Sequence, residues 1–234
     1  SSSFSNDGTA LNVSHDGNVT VDSTTTITDA AVGVDLNSTG NFANLDPTIN
    51  NATTVGVRST SNSTNVTLSS ATFDGSGASG DIGLNFTANS TQTSLSVGSG
   101  TSFTGLDDAA IQLNTNRSDN IVGNVTIDGA TFADSSGDGV NITSGFGNET
   151  VITDATFNNV STGVNVDNVV SGFNLTAHFN SFTDNTNGVL VDDASADAIN
   201  VTFNDFVGNT DGLNVSNTGS AVNATYSYWG QAGG

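Results

Sequence analysis

Catalysis needs a base, a nucleophile or a metal ligand in company, and this chain of 234 residues supplies few such groups. Its only histidines are His15 and His178, its only basic side chains are Arg58 and Arg117, and it has no lysine or cysteine. A thiol nucleophile, a disulfide framework and a cysteine metal site are therefore excluded. Serine is plentiful but has no partnered base in the sequence. Carboxylates abound: 23 acids, of which only Glu149 is glutamate, give a formal net charge of −21. Three groups could offer hard oxygen ligands to calcium: Asp192, Asp193 and Asp197; Asp107 with Asp108; and Asp134 with Asp138. None has the spacing of a D-x-D-x-D-G loop. Solvated turns are the expected role, with no resident cofactor and calcium as the one ion such a surface would take.

The other recurrent pattern is N-x-S/T, which occurs 17 times. The asparagines are Asn12, Asn18, Asn37, Asn51, Asn62, Asn65, Asn85, Asn89, Asn116, Asn124, Asn141, Asn148, Asn159, Asn174, Asn200, Asn214 and Asn223. One reading is dense N-glycosylation of an exported protein. The other is that Asn and Thr suit an exposed strand face, where stacked amides bond to one another.

Charge removes several partners. Two arginines cannot neutralise a phosphate backbone, so nucleic acid is excluded, as is attraction to anionic lipid. No apolar run approaches the roughly 20 residues of a membrane span, and residues 1–11 carry no basic-then-apolar leader. Abundant aspartate with almost no base keeps a protein dispersed in concentrated salt, which points to a halophilic, extracellular setting.

The elements that would position these residues follow from an internal repeat. Unit-opening residues are Phe4, Ile27, Ile49, Phe73, Phe103, Phe132, Phe157, Phe182, Phe206 and Tyr228, in steps of 22 to 30 residues. Each opener is followed by an alternating triplet, from Leu11-Asn12-Val13 and Val34-Asp35-Leu36 through Val189-Leu190-Val191 to Leu213-Asn214-Val215. A second triplet closes most units, as in Val19-Thr20-Val21, Val66-Thr67-Leu68 and Val125-Thr126-Ile127. Period-two alternation marks strands with one buried face, and no unit this short buries its own apolar side. Stacked copies do. The expectation is an all-β, single-domain right-handed parallel β-helix over residues 1–234, about 9–10 coils of 22–30 residues. At roughly 4.8 Å per strand it is a rod about 45–50 Å long. Outward rows would include Thr20, Thr67, Ser96, Thr126, Thr176, Thr202 and Thr225, with Asn18, Asn65, Ser94, Asn124, Asn174, Asn200 and Asn223 two residues earlier.

The later coils carry a resemblance. Asn180-x-Phe182-x-x-Asn185-x-x-Gly188 and Asn204-x-Phe206-x-x-Asn209-x-x-Gly212 resemble the right-handed parallel β-helix repeat family, which includes pectate-lyase-like proteins. The closing run Asn223-Ala-Thr-Tyr-Ser-Tyr-Trp229-Gly230 resembles the ending of β-helix domains in archaeal and bacterial surface proteins. The family hosts both enzymes and scaffolds.

Departures from the enzymes weigh against activity. Pectate-lyase-like chemistry implies a basic residue beside calcium-gripping acids, but Arg58 and Arg117 lie more than two coils apart and outside any acidic cluster. Asn209-Thr210-Asp211-Gly212 copies the N-T-D-G segment of polygalacturonases. However, Asn185-Thr186-Asn187-Gly188 holds the same places one coil earlier, and the remaining motifs are missing. His15 and His178 are about seven coils apart, and His178 reads as an outward strand residue. Tyr226, Tyr228 and Trp229 could stack on a sugar or close the apolar end of the rod. Threonine rows also resemble those of ice-binding proteins, although interleaved Asn, a Ser break and variable coil length count against that reading.

The expected role is therefore a non-enzymatic, N-glycosylated structural or adhesive rod, secreted or at the cell surface. It would be a segment or subunit of a larger assembly, stacked end to end on copies of itself or on flanking domains, with surface glycans as a further partner. The alternative is a polysaccharide-binding or polysaccharide-degrading β-helix using the long coils between Phe73 and Phe132.

Overall fold

The computed structural model describes residues 2–6, 8–14, 17–37, 42–60, 65–75, 77, 80–88, 93–115, 124–143, 149–192, 195–216 and 219–230. These form three parallel sheets of nine strands each, wound as a right-handed β-helix. The first sheet runs from Ser2–Ser5 to Asp205–Val207, the second from Thr9–Val13 to Asp211–Ser216, and the third from Val19–Val21 to Val222–Asn223. Every strand pairs with its equivalents one coil away, so successive neighbours in a sheet are three strands apart in the chain. Nine coils at roughly 4.8 Å give a rod near 43 Å, slightly shorter than the repeat count suggested.

The unit openers form the spine. From Phe4 to Phe206 they stand in one register along the first sheet. Phe73, Phe103, Phe132, Phe157, Phe182 and Phe206 stack at 4.6–5.2 Å with interplanar angles of 2–8°. The strand spacing imposes the ring spacing, and each ring adds about 0.5–1.5 kcal/mol beyond its burial. Tyr228 does not continue the column. It bridges to Asp205, and Trp229 takes the next place, 4.6 Å from Phe206 at 5°.

The column dictates the residue opposite it. A Cβ on Gly139, Gly163 or Gly188 would lie 2.6 Å from the Phe ring of the following coil and 2.5–2.6 Å from the next backbone carbonyl. Only glycine fits without displacing the ring. In the coil of Phe103 the equivalent residue is Ala110, which by the same offset faces Phe132. The Phe103–Phe132 spacing of 5.2 Å is the widest in the column.

The alternating triplets also pair as expected. Their central residues form one outward row on the second sheet: Asn12, Asp35, Arg58, Asn85, Gln112, Asn141, Asn165, Leu190 and Asn214. The third sheet departs from expectation in its last coils. Thr176 pairs with Asn200, not with Thr202, and Asn200 pairs with Asn223. Thr202 stands in line with His178 and Thr153. Strand Ala198–Thr202 closes with a five-residue alternation, and reading it as a triplet slips the row by two.

Candidate functional site: outward ladders and the aromatic end

Turns explain much of the aspartate. The residue after eight of the nine first-sheet strands adopts a left-handed conformation, with φ of 49–56° at Asn6, Asp29, Asn51, Asp134, Asn159 and Asp184, and glycine at Gly105 and Gly208; Gly75, after Thr72–Asp74, is the exception. Short polar side chains tolerate this region better than other non-glycine residues. They also bond along the rod: the Asn51 amide donates to Asp29 Oδ1 at 3.1 Å, and the Asn159 amide to Asp134 Oδ1 at 2.9 Å.

The sequence-selected acids are spread among such contacts. Asp192 accepts from Ser216 Oγ at 2.9 Å in the next coil. Asp197 accepts from Gly172 N at 3.0 Å and Ser171 Oγ in the previous one. Asp193 lies outside the described residues. Asp107 donates its backbone N–H to the fully buried Asp81 at 2.5 Å and accepts from Ser136 Oγ. Asp138 accepts from the Asn165 amide at 2.9 Å, and burial pushes its carboxyl above the ordinary range. Among the described residues no group of three or more His, Cys, Asp or Glu is placed to hold a metal.

Arg58 sits over Asp35 in a two-pronged ion pair, Nε to Oδ1 at 3.0 Å and Nη2 to Oδ2 at 2.6 Å. The bond to Asp35 holds the Arg58 guanidinium above its ordinary pKa, and the pair is a rung of the second-sheet row. Arg117 and His15 lie outside the described residues. His178 occupies an outward strand position and meets the edge of Phe179 at 5.0 Å.

Asn209 of the N-T-D-G segment belongs to a corner and, with Thr210 and Gly212, lines an opening at the end of the rod. Its side chain donates to Phe182 O at 2.9 Å and accepts from Asn185 N at 2.9 Å. Asp211 stands in register with Asn187, exposed at the start of its strand.

The sequons divide by environment. Asn12, Asn18, Asn37 and Asn124 are exposed, whereas the carboxamide oxygen of Asn141 is buried without a partner among the described residues. Asn85, Asn174, Asn214 and Asn223 donate to neighbouring carbonyl groups. Asn65 accepts from Ser94 Oγ at 2.7 Å, and Asn200 accepts from Asn223. Asn62, Asn89, Asn116 and Asn148 lie outside the described residues.

Two features escaped the sequence reading. Phe179, Phe203 and Tyr226 form an external aromatic ladder, spaced 5.5 and 5.0 Å and 49–79% exposed. All three have φ near 60°, a conformation costly for bulky residues. The second is a hydroxyl row on the first sheet. Thr26, Thr48, Thr72, Ser102, Thr131 and Thr156 stand in register, continued by Ser3 and Ser181. The signal was the residue just before each opener.

Comparison with protein-family models, curated proteins and solved structures gave no match for this chain.

Proposed function

We propose that the chain is a non-enzymatic structural or adhesive rod of an extracellular, N-glycosylated surface or filament protein, akin to the β-helix domains its motifs resemble. The observation that carries the reading is the concentration of exposed apolar residues in the last coil. Val207, Val215, Tyr226, Tyr228 and Trp229 are 43–79% exposed there, around an opening of about 760 Å³ lined by Phe206, Leu213 and Trp229. The first coil carries a second opening, of about 490 Å³, lined by Leu11–Ser14 and Asn18–Val21. Both faces expose strand edges of one cross-section. A further coil, from a second copy or from a flanking domain, fits either face by continuing all three sheets. Repeated head to tail, such contacts generate open filaments.

Electron microscopy in high salt tests this. Filaments with an axial repeat near one rod length, about 43 Å, are expected, and glycopeptide mass spectrometry should find glycan on the exposed sequons. Dispersed short particles carrying no glycan would overturn it.

The external aromatic ladder favours a second reading, a polysaccharide-binding β-helix. Its test is a screen of neutral and acidic polysaccharides for binding and for new reducing ends or unsaturated products, with Asp211→Asn as the control. Turnover abolished by that change would displace the scaffold.

A further inference from the structure

Resting on the glycosylated-rod reading above, we propose that Asn18, Asn65, Asn124 and Asn174 carry N-linked saccharides in one row along the third sheet. Every second coil bears one, and the ring of Phe42 packs between the first two.

Strand register supplies the row. The four asparagines share one outward position, on the first, third, fifth and seventh coils. Phe42, Ser94 and Glu149 hold that position on the coils between them, and Ala198 follows Asn174. Each asparagine opens an N-x-T sequon, the acceptor motif for N-glycosylation. The threonines, Thr20, Thr67, Thr126 and Thr176, lie two residues on and so point to the same side of the strand. No hydrogen bond to another described residue engages their hydroxyls.

Ring thickness explains the alternation. In the internal column a flat phenyl ring already fills one coil step of 4.6–5.2 Å. A saccharide ring is puckered and bears hydroxyl groups, so two of them on adjacent coils of one row collide. Every second coil doubles the spacing to about 9.6 Å. The carboxamides are also free to react. Asn18 and Asn124 are exposed. Ser94 Oγ engages the Asn65 oxygen at 2.7 Å, not its nitrogen. Asn174 donates one N–H to Gly172 O at 3.2 Å, and a glycosylated nitrogen keeps one N–H for that bond.

Phe42 points to the same ligand independently. It is 55% exposed, yet it stands in a polar row, in register with Asn65 on one side and beside Asn18 on the other. Among the described residues it joins neither the core nor the external aromatic ladder. The C–H face of a saccharide on either neighbour covers its ring and removes apolar surface from water. The second sheet lacks such a setting. There the Asn85 and Asn214 nitrogens donate to Gln112 and Asn187 of adjacent coils, at 3.3 and 3.4 Å.

The donor is a saccharide linked to a polyprenyl diphosphate. Its bond from the anomeric carbon to the diphosphate oxygen breaks, and a bond from that carbon to asparagine Nδ2 forms. The nitrogen gives up one proton, and the polyprenyl diphosphate leaves.

Glycopeptide mass spectrometry on the protein from its natural source tests the row. Asp-specific digestion suits a chain with only two arginines. Saccharide is expected at all four sites. Finding them bare while second-sheet sequons are occupied would overturn the row and leave the glycosylated rod standing. No saccharide anywhere would remove that reading as well. Ser94→Asn, expressed in the same host, completes a sequon with Ser96 on the coil between Asn65 and Asn124. No molecule should then carry saccharide at positions 65, 94 and 124 together; one that does would overturn the alternation. Phe42→Ala should leave thermal unfolding of the unglycosylated chain unchanged and lower the midpoint of the glycosylated chain by a few degrees. An equal change in both forms would overturn the packing of its ring.

Discussion

The two halves of the rod turn the same corners with different materials. At the corner before the first sheet, early coils place small residues such as Ala71 and Ala130, whereas late coils place Asn180 and Asn204, all nearly inaccessible. At the corner after it, Ala30 and Ala52 give way to Ser135 and then to Asn185 and Asn209. In the early coils the backbone closes its own bonds, as in Thr53 N to Ala30 O at 3.0 Å. In the late coils the side chain joins in. Asn180 accepts from Ala155 N at 2.9 Å, donates to Ile152 O at 3.0 Å and donates to Asn204 Oδ1 at 3.0 Å, tying its coil to both neighbours. Ser135 is the intermediate case, accepting from Leu106 N at 3.1 Å. A corner can thus be filled by volume alone or by volume that also satisfies backbone groups, and the second kind cannot be exchanged for the first.

The largest test of that contrast is Asn180→Leu. It leaves the Ala155 N–H and Ile152 carbonyl buried without partners, each costing about 1–3 kcal/mol, so a loss of about 3–5 kcal/mol is expected in denaturant unfolding. A loss below 1 kcal/mol would erase the distinction between the two corner types. Arg58→Met comes next and probes an outward rung of the early coils. It strands the Asp35 carboxylate and should cost about 1–3 kcal/mol. Part of that cost should fade in molar salt, where charges are screened, whereas the Asn180 effect should not. Thr101→Val sharpens the comparison from the other side. Thr101 holds the same corner as Asn180, but its buried hydroxyl has no partner among the described residues. Removing it should be neutral or stabilising, by no more than about 1 kcal/mol in the same unfolding measurement.

The smallest effect is expected at Asp138. Burial raises its folded pKa, so the folded state favours the protonated form and ionisation costs stability as pH rises through that value. Asp138→Asn, which keeps an acceptor for Asn165, should slightly raise the thermal midpoint at pH 7. The gain should vanish below the ordinary carboxylate range; a gain that persists in acid would assign it to packing.

The fold was legible because one marker, a large ring at a nearly constant interval, is also the spine that sets the register. Phe4 through Phe206 align without a slip. Legibility failed where two candidates for a marker lay side by side. Tyr228 and Trp229 are adjacent, and only packing against Phe206 decides between them. The Asn200–Thr202 slip has the same origin, since either residue completes an alternating triplet. The candidate surfaces were harder to read, because the N-x-T residues of the third sheet form the more conspicuous motif. The plainer Ser/Thr before each opener carried the longer row. The aromatic ladder at Phe179, Phe203 and Tyr226 gave no signal, since a left-handed turn is where sequence rules place Gly, Asn or Asp.

The stacked rings have an optical consequence. Six phenylalanines stand at 4.6–5.2 Å in nearly parallel planes and end on Trp229, the sole tryptophan of the chain. Excitation absorbed anywhere along the column can hop from ring to ring and has an indole waiting at its end. Tryptophan emission excited in the phenylalanine band is therefore a gauge of the continuity of the whole spine, and a single missing ring in the middle should dim light emitted at the tip.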